Sequence, residues 1–576
     1  MASSLRGLVR WLLEKRYHVL ARLFGVSLEN HGHTSPGSVI IQVDALGYQN
    51  LLAVLEQGYM PNLKALLDSK SHTLRRWRCG LPSDTPPVQA GMMYGYNQDL
   101  VGFYWMDKST GRRLNCANPL HAKLLEEHIA ARSRPGVLSQ GSCYATIISG
   151  NAKKAVFTVS RLDSYRLQNA FGLLGAFLFV LFKPPIFFTT AAHFTWDLVQ
   201  EMADYVAARV GRRLRRAEGI FPITRAIINI VFREVATAGA IMDMFCGLPV
   251  IYVSYLGYDT VGHHSGPLSK NAMRTLRGID RAIGKIRGTR EWCRRAYDLY
   301  ILSDHGMVPS VPFDITYGQP LSSYIASVVR DGVAVEEYDA DRYLGRDQLS
   351  PLNQDLQEIE RHLPRGLAAL FRRTRTLLYR GDGYHTPMES GRISVIDCSP
   401  IAHIYVHDLP RRLDISEVEE LYPTLVPALV AHPGVGLLMG IEDNQVVVFS
   451  RDGRTVLGRN PSTEGIHPLL QFEEPDLVLE EVRRLALTPM SGDLILFGAF
   501  QEGRATCFQS QLGAHGSLGG DQYYPFFIHP SGLDISLENV TTAADMYPVL
   551  RRIAGMGTEG GAAAELAPEA DPSGVA

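Results

Sequence analysis

The sequence predicts an α/β protein whose core is a largely parallel sheet flanked by helices. Three observations lead there. Short apolar runs rich in β-branched and aromatic residues recur, as at Ser38–Val43, Val250–Tyr255 and Leu299–Ser303. Helical patterns separate them, which is the spacing of parallel strands joined by crossovers. Each run ends shortly before a polar cluster, and open α/β sheets carry their sites at the carboxyl ends of strands.

Composition sets the frame. A chain of 576 residues, 46% apolar and 20% charged, has ordinary globular balance and ample material for a large core. A formal net charge of −2 excludes a polyanion-binding footprint for the molecule as a whole, so no specific nucleic-acid binding is expected. The seven cysteines, at 79, 116, 143, 246, 293, 398 and 507, form no CxxC pair. That pattern reads as free buried thiols in a reducing compartment.

Taken in order, residues 1–35 open the chain as a basic segment. Residues 5–24 mix apolar positions with Arg6, Arg10, Lys15, Arg16 and Arg22, whereas a secretory segment has an unbroken apolar run. The pattern suits an amphipathic helix on a membrane surface, or one packed on the body of the protein. A cytoplasmic location follows, with peripheral membrane attachment as an option.

Ser38–Val43 is the first strand and ends at Asp44. A helical stretch follows, with a turn near Pro61 and Asn62. Residues 160–245 read as a helical insertion. Within it, Ala170–Phe182 is uncharged but shorter than the roughly 20 residues that a span needs. It reads as a re-entrant or monotopic insertion, or as a buried core helix. The arginines at 209, 212, 213, 215 and 216 suit anionic headgroups or a solvated helix face. Val250–Tyr255 and Leu299–Ser303 are the next strands, and Asp493–Phe497 is a fourth, upstream of His515. Residues 310–460 form a second insertion, smaller and β-containing. Its segment 433–460 carries a hairpin pattern turning near Asp443-Asn444. From Gly555 the chain is Gly, Ala, Glu and Pro without periodicity, the composition of a disordered tail. No internal repeat is evident.

The chemistry sits in five clusters. They are Asp44; Pro82-Ser83-Asp84-Thr85-Pro86-Pro87; Asp259 with His263, His264, Gly266 and Pro267; Ser303-Asp304-His305-Gly306; and Gly513-Ala514-His515-Gly516. Singly, each has a bland reading, since an Asp after a strand is usually a turn or a cap. Together they supply carboxylates, histidines and one hydroxyl. Asp and His are ligands of catalytic zinc sites that keep an open position. Two metals close together clamp the attacking and leaving oxygens of phosphoryl transfer. A Thr hydroxyl becomes a useful nucleophile when a metal lowers its pKa.

The ordered set resembles the alkaline phosphatase superfamily, most closely its nucleotide pyrophosphatase/phosphodiesterase-like members. DTVGHHSGP is similar to that family's D-x-x-G-H-x-x-G-P element, SDHGM to its strand-end metal motif, and GAHGSLGGDQYYPFFIHP to its late histidine motif. The resemblance implies an alkaline-phosphatase-like catalytic domain over 36–550. It implies two divalent metal ions, zinc in the first instance, with manganese or iron as options. One ion would be held by Asp44, Thr85, Asp304 and His305, the other by Asp259, His263 and His515. Thr85 would attack phosphorus, giving a metal-dependent phosphodiesterase or phosphohydrolase with a phospho-threonine intermediate. The substrate would be a phosphate-ester small molecule or a lipid headgroup.

Alternatives stay open at several points. His264 adjoins His263, and His385 rivals His515. Asp84 is either a cap facing away or exposed to solvent. The family's phosphate-binding Asn is missing downstream of Thr85, where Gly102–Asp107 places Tyr104 and Trp105. These aromatics suit a packed core, or stacking on a substrate. A sulfatase is excluded, because Thr85-Pro86-Pro87-Val88-Gln89 lacks both the convertible residue and the Arg. A lipid-headgroup phosphotransferase, a phosphomonoesterase and a non-catalytic metal-binding scaffold are the competing functions. Neither GxGxxG after the first strand nor GxxxxGK[ST] occurs.

Overall fold

The computed structural model describes residues 35–164, 227–329, 332–338, 391–459 and 461–556. The basic N-terminal helix, the Ala170–Phe182 run, the arginines of 209–216, His385 and the tail beyond 556 lie outside them.

The first strand, Gly37–Val43, sits in the middle of a seven-stranded sheet. It pairs in parallel with Val250–Tyr255 on one side and Tyr297–Leu302 on the other. Ser142–Tyr144 and Lys154–Val156 extend the sheet in parallel beyond Val250–Tyr255. Beyond Tyr297–Leu302 lie Phe526–Pro530, which runs antiparallel, and then His72–Arg76.

Strand alternation sorts the core into two layers. Val39, Ile41 and Val43 join Val253, Leu299 and Ile301 in one cluster, under the helices Tyr48–Glu56, Pro61–Asp68, Arg233–Cys246 and Lys270–Thr289. Ile40, Tyr252, Tyr300 and Leu302 face the other way, against the helices Thr85–Tyr94 and Met546–Ile553. Lys270–Thr289 shows how sequence makes such a helix. Met273, Leu276, Ile279, Ile283 and Ile286 recur at helical spacing and are buried, and Ser269 accepts a hydrogen bond from Ala272 N at its start. Each fully buried Leu or Ile contributes about 1.5–3 kcal/mol.

Among the described residues a second sheet has eight strands, six from within residues 310–460 and two from beyond them, Ser462–Gly465 and Leu494–Gly498. Asp443 and Asn444, both at positive φ (48° and 59°), make a two-residue turn between Val435–Glu442 and Gln445–Ser450. The run at 493–497 does not join the parallel sheet. Its strand, Leu494–Gly498, lies between Ile401–Val406 and Val435–Glu442, antiparallel to both. An apolar run of five residues fits a parallel or an antiparallel centre equally well, so its periodicity could not decide. One face of this sheet packs on the helices Leu321–Val328, Ile415–Leu421 and Leu425–Ala431. The other contributes Leu437, Met439, Ile495 and Phe497 to the core shared with the helix Thr85–Tyr94. The two sheets therefore flank one apolar mass, and the site forms along its edge.

A small sheet ties two loops of that edge together. Val308–Pro312 follows Asp304 and His305 directly, and it pairs antiparallel with Gly513–Ala514, which precedes His515. All seven cysteines are buried and free. No helix among the described residues is long and apolar enough to cross a membrane.

Candidate active site

Five of the seven candidate residues follow strands of the main sheet. Asp44 follows the central strand, and Asp304 and His305 follow Tyr297–Leu302. Asp259 and His263 share one face of the helix Gly257–Ser265, which begins just after Val250–Tyr255. Thr85 is the first residue of a ten-residue helix that is buried along its whole length. His515 arrives on the loop after Gly513–Ala514.

The fold gathers all seven residues that the sequence singled out. Asp44, Asp304 and His305 form one group of possible metal donors, and Asp259, His263 and His515 form another. The Thr85 hydroxyl donates to Asp44 Oδ1 at 3.3 Å and lies 3.1 Å from His305 Nε2. Asp259 Oδ1 is 3.2 Å from both His263 Nε2 and His515 Nε2. The groups adjoin, with the rings of His305 and His515 4.0 Å apart. His264 belongs to neither group.

The three histidines are anchored alike. Nδ1–H donates to a backbone carbonyl in each: His263 to Gly513 O at 2.8 Å, His305 to Gly306 O at 3.1 Å, His515 to Ser83 O at 3.1 Å. These bonds turn Nε2 of each ring into the site, the arrangement typical of metal-ligating histidines. His263 Nε2 and His515 Nε2 lie 2.9 Å apart, and Asp259 Oδ1 is 3.2 Å from each. Asp304 Oδ2 is buried without a hydrogen-bond partner. A buried carboxylate oxygen left unpaired is unfavourable unless a cation sits beside it. The donor set of carboxylate and imidazole suits zinc and similar divalent ions, so the residues fit the metals that the family implies.

The electrostatics point the same way. Burial, reinforced by the charge of Asp304, raises the Asp44 pKa well above the ordinary carboxylate range. Burial pushes Asp304 up to about 6. Burial would raise Asp259 too, but the charges and hydrogen bonds of His263 and His515 outweigh it and hold that carboxyl well below its usual value. Burial, with His515 beside it, drives His305 down to about 3.

Asp84 is a cap, as sequence reasoning allowed, but its surroundings are not those expected. It neither faces away nor meets solvent: it is 3% exposed and groups with His305 and His515. Its Oδ1 accepts from Thr85 N at 2.9 Å, which makes it the helix N-cap, and its Oδ2 accepts from the Cys398 thiol at 3.1 Å. The Asp-x-Pro order at a helix start was the available signal. Nothing in the sequence linked Cys398, from the second sheet, to this loop. Tyr104 and Trp105 are core residues, 5% and 3% exposed. A glycine after His305 is required, because a Cβ on Gly306 would lie 1.9 Å from the Asp521 carbonyl oxygen.

Comparison with known proteins places the chain. Residues 38–400, more than half of it, match the family described as Type I phosphodiesterase / nucleotide pyrophosphatase. No curated protein matches. Among solved structures, the chain is similar to phosphonoacetate hydrolase from Sinorhizobium meliloti 1021 in complex with phosphonoformate, at 14% identity and a TM-score of 0.43, covering 90% of this chain and 96% of that one. It is similar to murine ectonucleotide pyrophosphatase / phosphodiesterase 5 in complex with AMP, at 12% identity and a TM-score of 0.41, covering 91% and 96%. It is also similar to the alkaline phosphatase PafA, at 12% identity and a TM-score of 0.46, covering 91% and 97%.

Proposed function

This chain belongs to the type I phosphodiesterase / nucleotide pyrophosphatase family and is a phosphoric ester hydrolase, and we propose that it cleaves phosphodiesters with Thr85 as nucleophile beside two divalent cations, zinc in the first instance. Asp44, Thr85, Asp304 and His305 would hold one cation, and Asp259, His263 and His515 the other. The observation that carries this reading is the convergence of Asp259 Oδ1 with His263 Nε2 and His515 Nε2, all within 3.2 Å of one another, on two rings each anchored by a backbone carbonyl.

Bound cations would lower the pKa of the Thr85 hydroxyl and offset the charge of the phosphoryl oxygens. The chain's own groups do the rest. Asp44 and His305 hold the Thr85 hydroxyl from two sides, which fixes the direction of its attacking lone pair. Asp84 pins the Thr85 backbone N–H, so the nucleophile cannot swing with a fraying helix end. Thr85 Oγ1 gives its proton to Asp44, to which it already donates, and bonds to phosphorus as the ester P–O bond breaks; the leaving alkoxide takes up one proton, so none is gained or lost in the step. Water then cleaves the phospho-threonine, which returns Thr85 and releases the phosphorylated product.

The test is hydrolysis of bis(p-nitrophenyl) phosphate and p-nitrophenyl phosphate by wild type and Thr85→Ala, with metal content measured on both. The expected result is metal retained and diester turnover lowered at least about 100-fold. A Thr85→Ala variant that turns over diester like wild type would overturn the nucleophile. Turnover of the monoester alone would keep the nucleophile and overturn the substrate class.

A further inference from the structure

We propose that Gln42, Gln89 and Tyr252 form a buried positioning network that sets the depth of the Thr85 helix against the central strand, and through it the aim of the Thr85 hydroxyl. The proposal rests on the reading of Thr85 as nucleophile.

All three side chains are fully buried. Gln42 Oε1 accepts from Gln89 Nε2 at 3.2 Å and from the Tyr252 hydroxyl at 2.7 Å. Gln89 Oε1 accepts from Ile147 N at 2.9 Å, on the loop after Ser142–Tyr144. Each member belongs to an element that delivers a site residue. Gln42 stands two residues before Asp44, Gln89 one helical turn beyond Thr85, and Tyr252 on the strand that leads to Asp259. Parallel pairing sets Tyr252 opposite Ile40, diagonal to Gln42 on the same face of the sheet.

Stability does not explain these residues. Ile40, Val88, Met92 and Leu302, their neighbours in sequence or across the sheet, belong with Tyr252 to a large buried apolar cluster, where an apolar side chain would cost no desolvation. Gln42 Nε2 makes no hydrogen bond at all, a penalty that an apolar residue would avoid. What the network supplies is direction. Apolar contacts tolerate sliding, whereas the two directional bonds of Gln89, to Gln42 on the strand and Ile147 on the loop, are lost together when the helix shifts, and Tyr252 holds Gln42 in place for them. The helix start that they locate holds Thr85 Oγ1 3.3 Å from Asp44 and 3.1 Å from His305. A displacement of about 1 Å there is enough to cost about 100-fold in rate.

The test compares Gln89→Leu with the double variant Gln42→Leu/Gln89→Leu, both carrying metal, on bis(p-nitrophenyl) phosphate. Gln89→Leu orphans Gln42 further, so it should lower both thermal stability and kcat, the latter about 10- to 100-fold, with KM and metal content within about twofold of wild type. The double variant restores an apolar contact and removes the orphaned Gln42 amide but leaves the Tyr252 hydroxyl without its acceptor, so it should regain part of the lost stability and none of the kcat. A crystal structure of the double variant should show Thr85 Oγ1 displaced from Asp44. Recovery of kcat together with stability, wild-type turnover in Gln89→Leu, or an unchanged Thr85–Asp44 separation would each overturn the proposal. Thr85→Ala assayed alongside separates the two readings. Full activity there overturns the nucleophile, whereas loss there with wild-type turnover in the double variant overturns only the network.

Discussion

The loop carrying Thr85 is held at its base by one buried ion pair, and the two halves of that pair should fail differently. Arg78 Nη2 donates to Glu481 Oε2 at 2.7 Å and Nη1 to Oε1 at 3.4 Å, with both side chains about 5% exposed or less. Glu481 lies on the helix Pro475–Leu487, which packs on the second sheet, and Arg484 of the same helix donates to the Leu81 carbonyl. Replacing Glu481 with Leu leaves a guanidinium that cannot lose its proton, with only half-exposed Glu474 at 3.6 Å and the Tyr523 ring at 4.8 Å for company. Such a stranded charge costs about 3–5 kcal/mol. If the whole chain of 576 residues unfolds at once, about 4 kcal/mol lowers Tm by only about 3 °C, at about 2.1 cal/mol/K per residue, so urea titration is the sharper assay. Arg78→Met should be milder near neutral pH. Burial already pushes Glu481 up to about 7, against the pull of Arg78, so without Arg78 its carboxyl takes a proton. The residual cost is that of a buried neutral group, about 1–3 kcal/mol. At pH 9 that escape is more expensive, and the two variants should converge. The double variant, apolar at both positions, should lie within about 1 kcal/mol of wild type. Equal losses for the two single variants at pH 7 would refute the reasoning.

Two further changes have signs fixed by geometry. His403 is fully buried as the neutral ring, with Nε2–H donating to Val101 O at 3.3 Å and Nδ1 accepting from Gly492 N at 3.2 Å, and burial pushes its pKa down to about 4. A folded value below the unfolded value of about 6.5 gives stability that is present above pH 6.5 and lost as pH falls through 4. His121 and His407, both also near 4, add to the same slope. Urea midpoints should therefore fall between pH 7 and pH 4.5, and His403→Gln should flatten the slope; an unchanged slope in the variant would count against it. Gly306→Ala forces a Cβ to 1.9 Å from the Asp521 carbonyl, on the residue whose own carbonyl anchors His305. It should cost about 3 kcal/mol and most of the diester turnover, and a variant with wild-type midpoint and turnover would show that the loop can give way.

The parallel half of the fold was legible because buried parallel strands write themselves as unbroken apolar runs ending in polar clusters. Ser38–Val43 and Val250–Tyr255 needed only that signature, and the motifs at their ends named Asp44 and Asp259. The strand at 494–498 wrote the same signature and belongs to another sheet, because its neighbours are Ile401–Val406 and Val435–Glu442, well upstream in the chain. His263 could be preferred over His264 because Asp259 and His263 stand one helical turn apart. The role of Asp84 was missed because a cap and a ligand-side carboxylate look identical in sequence until the neighbouring loops close on them. Cys398, which reaches Asp84 from the second sheet, had no local signal of any kind.

The start of the Thr85 helix gives a reason why the proposed site would need charge brought from outside the chain. A helix N-terminus normally offers several unpaired N–H groups to an anion. Here the Thr85 N–H is spent on Asp84, and the next two residues, Pro86 and Pro87, have no N–H to give. The first remaining donor, Val88 N, is already closed onto the Asp84 carbonyl. Around the same point stand the carboxylates of Asp44, Asp84, Asp259 and Asp304, gathered with the imidazoles of His263, His305 and His515. An anionic phosphate ester entering this space meets acceptors on almost every side. The backbone anchors on the three histidines turn further acceptors inward, so the proposed cations would be what makes the place habitable for a phosphoryl group. The same prolines that close the helix to anions also fix its first turn, so the feature that removes the backbone's help in binding is the one that keeps Thr85 in place.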